Sequence, residues 1–127
     1  MTAGSKSLSA SLTAPKLPDN LFAVTDIDAE LSKVRDDESD FIAADFSRLI
    51  CDSNDFSSLY FKNCLFKGNR FTACDFSKCT FIDCVFNGCD ISNCNFTESY
   101  FRACSFTSCK AVGAAFKDSY HKNVSFD

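Results

Sequence analysis

The chain has 127 residues, enough for one domain, and is 46% hydrophobic and 14% aromatic, enough to bury a core. Its formal net charge of −4 is mild. That argues against non-specific nucleic-acid binding through a basic surface, and no apolar run reaches the length of a membrane span.

The chain begins "MTAGSKSLSASLTAPKLP". This stretch lacks a continuous apolar h-region, so no secretory signal is read here. Residues 1–20 are expected as a flexible tail and residues 21–38 as a capping segment. Within the latter, "TDIDAELSKVR" (25–35) places Thr25 and Asp28 at capping-box spacing. Acids lead the stretch and Lys33 and Arg35 end it, which suits a helix dipole. Ile27, Leu31 and Val34 fall on one face. The pattern predicts a short helix that covers one end of the structure that follows, helped by Leu21 and Phe22.

From residue 39 onward a repeat takes over. Stepping by five from Phe41 to Phe126 gives eighteen centres, of which fourteen are phenylalanine. The exceptions are Cys51, Ile91, Ala111 and His121. Only Phe22 lies off this register. Two residues before most centres stands a small or modest side chain, among them Ala44, Cys64, Cys74, Cys79, Cys84, Cys89, Cys94, Cys104, Cys109, Ala114 and Val124. Eight of the nine cysteines occupy this slot. The other three positions are mostly Ser, Thr, Asp, Asn, Lys, Arg or Gly.

Each unit therefore has two inward positions, one small and one large. Inward and outward residues alternate as in a short extended segment. The chain must then turn, because the inward pair recurs at five. A chain that turns every five residues makes a coil, and stacked coils bury one another's faces. Residue spacing alone leaves the number of units per coil open.

Units such as "CDFSK", "CVFNG", "CDISN" and "CNFTE" resemble the pentapeptide repeat family, whose consensus is A(D/N)LXX. The resemblance covers residues 39 to 127, with Cys for Ala and Phe for Leu in most units. It implies an all-β fold, a right-handed quadrilateral β-helix with four units per coil, here about four and a half coils. Residues twenty apart then stack. One column is Phe46, Phe66, Phe86, Phe106 and Phe126. Others are Phe56, Phe76, Phe96 and Phe116, and Phe41, Phe61, Phe81, Phe101 and His121. The last, Cys51, Phe71, Ile91 and Ala111, is mixed. At an inter-strand spacing of about 4.8 Å the stack is roughly 20 Å tall.

Little in the chain points to chemistry. The cysteines five apart do not match the two-to-four spacing of zinc sites, and cysteine is a good small hydrophobe. They are expected as reduced thiols in a cytoplasmic protein. Cys64, Cys84 and Cys104 share a vertical column whose parallel side chains make disulfide torsion hard to reach. His121 has Ser119, not cysteine, in the slot before it, so no nucleophile pair forms. Asp55 and Asp75 stack, but Asn95 and Ala115 follow. No enzyme activity, cofactor or metal is expected.

Interaction is the remaining class. Tyr60, Tyr100 and Tyr120, with Lys62, Ile82 and Arg102 beside them and Leu65 and Val85 at the adjoining edge, form a candidate partner surface, because Tyr and Arg serve often as interface anchors. Phe116, His121 and Phe126 mark the final coil as a candidate dimer end, since an uncovered stack exposes apolar rings and backbone. The resemblance implies the same, because many members of the family dimerise there. The expected function is a protein-interaction scaffold without direct nucleic-acid or membrane contact. The alternative rests on resemblance alone: Qnr-type and mycobacterial quinolone-resistance members resemble B-form DNA and bind DNA gyrase or topoisomerase IV. Such mimicry needs an acidic face, whereas residues 39–127 hold ten acids and nine bases, a net of −1.

Overall fold

A computed structural model describes residues 14–127. The repeat coils with four sides, each taking one unit in turn. Side one carries β2 (Phe41–Ile42), β5 (Tyr60–Lys62), β8 (Thr80–Ile82), β10 (Tyr100–Arg102) and β12 (Tyr120–Lys122). Side two carries β3 (Ala44–Asp45), β6 (Leu65–Lys67), β9 (Val85–Asn87), β11 (Ser105–Thr107) and β13 (Ser125–Phe126), with β1 (Phe22–Ala23) added at its lower edge. Side three begins with β4 (Ile50–Asp52) and β7 (Arg70–Thr72) and continues through single bridges at Asp90 and Lys110. Side four consists only of bridges, Asp55 to Asp75 to Asn95 to Ala115. All pairing is parallel, and within the repeat the register is twenty residues, as in Phe66 to Phe86 to Phe106.

The phenylalanines fill the inside. On side two the stacked rings of Phe46, Phe66, Phe86 and Phe106 lie 4.7, 4.5 and 4.4 Å apart. On side four Phe56, Phe76, Phe96 and Phe116 lie 4.6, 5.0 and 4.9 Å apart. Side one stacks Phe61, Phe81 and Phe101 at 4.8 and 4.9 Å. Adjacent columns meet edge to face, as Phe66 does with Phe71. Offset stacking along a column and edge contact across it are the two arrangements that aromatic quadrupoles favour.

The turn is built from one backbone feature. Every fifth residue from Glu38 to Asn123 is left-handed, with φ between 51° and 76°. Only Gly68, Gly88 and Gly113 among them are glycines. At Gly113 the φ of +76° is the largest of the set, and the Asn93 amide occupies the space a Cβ would need, so a larger residue there would have to displace that side chain. At the other corners the left-handed cost of roughly 1–2 kcal/mol per residue is offset by the ladders on either side.

At five corners local sequence supports the turn. Where Asp or Asn precedes the centre and Ser or Thr follows, the side chain accepts the N–H two residues on. This occurs in Asp45 with Ser47, Asp55 with Ser57, Asp75 with Ser77, Asp90 with Ser92 and Asn95 with Thr97. These five units close as hydrogen-bonded turns, the Asx-turn mechanism.

The small inward slot is more than small. In ten of the units its side chain donates to the carbonyl of a centre residue in the coil below, always 23 residues back. Cys79 reaches the Phe56 oxygen at 2.9 Å, Cys94 reaches Phe71 at 3.1 Å and Cys84 reaches Phe61 at 3.5 Å. Asn69 and Ser99, the buried polar residues of the core, follow the same rule toward Phe46 and Phe76 at 2.6 and 2.7 Å. The expected apolar wall is therefore a column of weak donors.

The capping helix α1 spans Ile27–Asp37. Two details differ from the sequence expectation. The N-cap is Asp26 rather than Thr25, and its carboxylate accepts the Ala29 N–H at 3.1 Å. Ala29 lies three residues past Asp26, the distance a capping side chain spans, whereas Thr25 starts one residue too early. The helix also runs two residues past Arg35, into Asp36 and Asp37, before left-handed Glu38 ends it. Glu38 stands five residues before Ala43, so the helix stop is in phase with the corners. Leu31 and Val34 are buried, and Ile27 packs half-buried against the core.

The helix and β1 cover the first coil through its free carbonyls. Phe22 and Val24 donate to the oxygens of Ala43 and Asp45, and the Arg35 guanidinium donates to those of Asp55 and Ser57 at 2.9 and 3.2 Å. Phe22, expected to help cover the coil with its ring, is 48% exposed; Val24 is the buried side chain there. The segment expected as a flexible tail lies outside the described residues as far as residue 13. From Ala14 on it runs against the coil, where Lys16 bonds to Asp83 and Asn63.

Candidate interaction surface

Side one positions the predicted partner residues on β5, β8, β10 and β12. Tyr100 and Tyr120 stack at 5.4 Å and 5°, because both precede a centre and pair directly in the ladder. Tyr120 is 59% exposed, while Tyr60 and Tyr100 are half-buried. Lys62, Arg102 and Lys122 are exposed on the other flank of the strands. The result is an aromatic row beside a cationic row in the upper coils. Leu65 and Val85 lie around the corner on side two, half-buried.

Ile82 departs from expectation. Its place in the strand predicts exposure, yet it is 4% exposed, whereas Ile42 in the same ladder is 50% exposed. Its partners Lys62 and Arg102 are exposed. The next residue, Asp83, accepts the Lys16 N–H at 3.4 Å, so the N-terminal segment crosses the surface beside Ile82. Sequence periodicity reports which way a side chain leaves the coil but not what crosses over it.

The core residues read from the sequence sit inside. Phe46, Phe56, Phe61, Phe66, Phe76, Phe81, Phe86, Phe96, Phe101 and Phe106 are buried, as are Cys64, Cys84 and Cys104. At the final coil Phe116 is half-buried, His121 is exposed and Phe126 is 57% exposed. Phe106, Phe116 and Phe126 surround an open recess of about 150 Å³ with Ile91 and Cys109 at its side. Cys109 is the one cysteine not fully buried. The neighbouring Cys89 thiol draws the Cys109 pKa down to about 7, while Cys109 and burial push Cys89 up. Ser119 Oγ lies 2.9 Å from His121 Nε2, and partial burial lowers the histidine's pKa. The Ser57 hydrogen bonds hold the Asp55 carboxyl below its ordinary value, with a smaller effect from Arg35. Among the described residues no group of three or more His, Cys, Asp or Glu is placed to hold a metal ion, and no helix is long and apolar enough to cross a membrane.

Residues 55–88 and 84–120 match the family described as Pentapeptide repeats, in eight copies. The chain belongs to the pentapeptide repeat family. Its fold is that family's quadrilateral β-helix, closed below by one helix and one short strand. No curated protein matches the sequence. Among solved structures, a trypsin-treated variant of QnrB1, a plasmid-mediated fluoroquinolone resistance protein, is 25% identical with a TM-score of 0.58, over 66% of this chain and 46% of that one. A second trypsin-treated QnrB1 variant is 26% identical with a TM-score of 0.59, over 62% and 41%. The pentapeptide repeat protein Rfr23 from the cyanobacterium Cyanothece 51142 is 6% identical with a TM-score of 0.49, over 80% and 100%. The chain spans less than half the length of the QnrB1 structures it matches.

Proposed function

We propose that this pentapeptide-repeat chain is a non-catalytic protein-interaction scaffold, with side one as its partner surface and the final coil as a site of self-association. The observation that carries the reading is the Tyr100–Tyr120 stack flanked by exposed Arg102 and Lys122. Rigid aromatic area beside guanidinium and ammonium groups is the chemistry of interface anchors, and it suits an acidic partner surface. Stacked strands hold these side chains at a fixed spacing, so little freedom is lost on binding. The thiols that the coil uses as donors fit a reducing, cytoplasmic compartment.

A second reading, binding of DNA gyrase or topoisomerase IV, is favoured by the likeness to QnrB1 over 66% of the chain. Charge weighs against it, because the repeat is nearly neutral and its tyrosine side is basic. The test is affinity capture from native host lysate with the wild-type chain and with Tyr100→Ala/Arg102→Ala, after confirming equal melting temperatures. Scaffold binding through side one predicts a partner held by the wild type and lost from the variant. The same proteins on both would contradict it, and gyrase subunits on both would favour the second reading.

A further inference from the structure

The four corners of the coil share one backbone conformation, yet they differ in exposure. Between sides two and three the left-handed residues Arg48, Gly68, Gly88 and Ser108 are all exposed. The same holds for the left-handed residues of the two corners flanking side four. Between sides one and two, by contrast, Ala43, Asn63, Asp83 and Asn123 are half-buried and Ala103 is 6% exposed. A corner residue points out from a convex edge, so its burial needs cover from outside the coil.

The N-terminal segment lies against this edge at Asn63 and Asp83. The Asn63 amide donates to the Lys16 carbonyl at 2.6 Å, and the Lys16 N–H donates to the Asp83 carboxylate at 3.4 Å. Two side chains from successive coils thus hold both backbone groups of one residue, as a neighbouring strand would. Exposure alternates along Ala14, Pro15, Lys16 and Leu17, with Pro15 and Leu17 half-buried, the pattern of an extended segment laid on a surface. Further on, Phe22 N–H reaches the Ala43 oxygen. The segment therefore runs down the corner from the level of Asp83 to that of Ala43.

We propose that this corner is a dock for one extended peptide segment, that residues 14–17 occupy it as a strap, and that release of the strap uncovers Ile82 beside the tyrosine row. Recognition through backbone groups tolerates many sequences, and the half-buried positions, Pro15 and Leu17, supply the side-chain preference. Because the strap is tethered, its effective concentration is high and a competing segment must displace it. The last step rests on reading side one as a partner surface; the dock and its occupant do not.

The test uses the full chain and no partner. Asn63→Gly/Asp83→Gly removes both clasping side chains, and glycine keeps the left-handed corners. Two readouts follow: trypsin cleavage of the Lys16–Leu17 bond, and maleimide labelling of Ile82→Cys located by mass spectrometry. Both should accelerate at least tenfold in the clasp variant. If that variant does not fold, Leu17→Asp disrupts the strap without touching the coil and should give the same acceleration. Asn93→Gly, at a bare corner, should change neither rate. Equal rates with and without the clasp would overturn the proposal, as would rapid labelling at position 82 in the intact chain. Neither readout depends on the capture experiment, so loss of the side-one reading leaves the dock standing.

Discussion

Two residues per unit hold this molecule together, and they do so by different physics. Phe86 is fully buried and stacks on Phe66 and Phe106. Phe86→Ala should destabilise by about 3–5 kcal/mol, the cost of truncating a buried aromatic. Cys84 packs in the same layer, but its thiol also donates to the Phe61 oxygen. Cys84→Ala should cost about 1 kcal/mol, the net worth of a modest hydrogen bond. Denaturant melts of both variants check the pair. A neutral Cys84→Ala would show that the donor is idle. The phenylalanine register was legible in the sequence because one bulky residue type recurs at one spacing. The donor role was not, because a thiol, a hydroxyl and an amide look unrelated as letters. Asn69 and Ser99 fill the slot with the same chemistry as the cysteines, yet they broke the visible pattern. The left-handed corners were hidden for a related reason: Arg48, Lys78 and Glu98 adopt them as Gly68 does, so position in the coil rather than residue type sets the conformation.

At the scale of elements, the two ends of the stack face different problems. The first coil has carbonyls with no coil below, and each element of the cap answers some of them. β1 supplies N–H groups to Ala43 and Asp45, and α1 supplies Arg35 to Asp55 and Ser57. Asn54 adds a bond to Asp28 at the other end of the helix. Arg35→Ala should therefore loosen the helix as a unit. The expected cost is about 1–2 kcal/mol, since its guanidinium bonds are charge-assisted but partly exposed. Hydrogen exchange should quicken throughout Ile27–Asp37 while Phe81–Phe106 stays protected. Unchanged exchange in the helix would mean that Leu31 and Val34 hold it alone. The apolar face of this helix was readable from spacing, because the helical period is strict. Its ends were not, because Asp26 and Thr25 both make good caps and only backbone geometry chooses between them. The contacts of Lys16 were equally illegible, since Asn63 and Asp83 lie 47 and 67 residues away in sequence.

The described residues form a short prism, with α1 and β1 against the first coil. The final coil presents Phe126 at 57% exposure, a half-buried Phe116 and an apolar recess between the columns. The strand edges beside them, on β12 and β13, pair on one side only. Apolar rings next to free strand edges favour association, and a two-fold pairing of like ends closes without propagating. The most direct measurement is light scattering on the 127-residue chain and on Phe126→Asp across a range of concentrations. The account predicts a dimer for the wild type and a folded monomer, with unchanged circular dichroism, for the variant, because a carboxylate in the contact would be buried without a partner. A wild-type chain that remains monomeric and soluble at the highest concentration would contradict it.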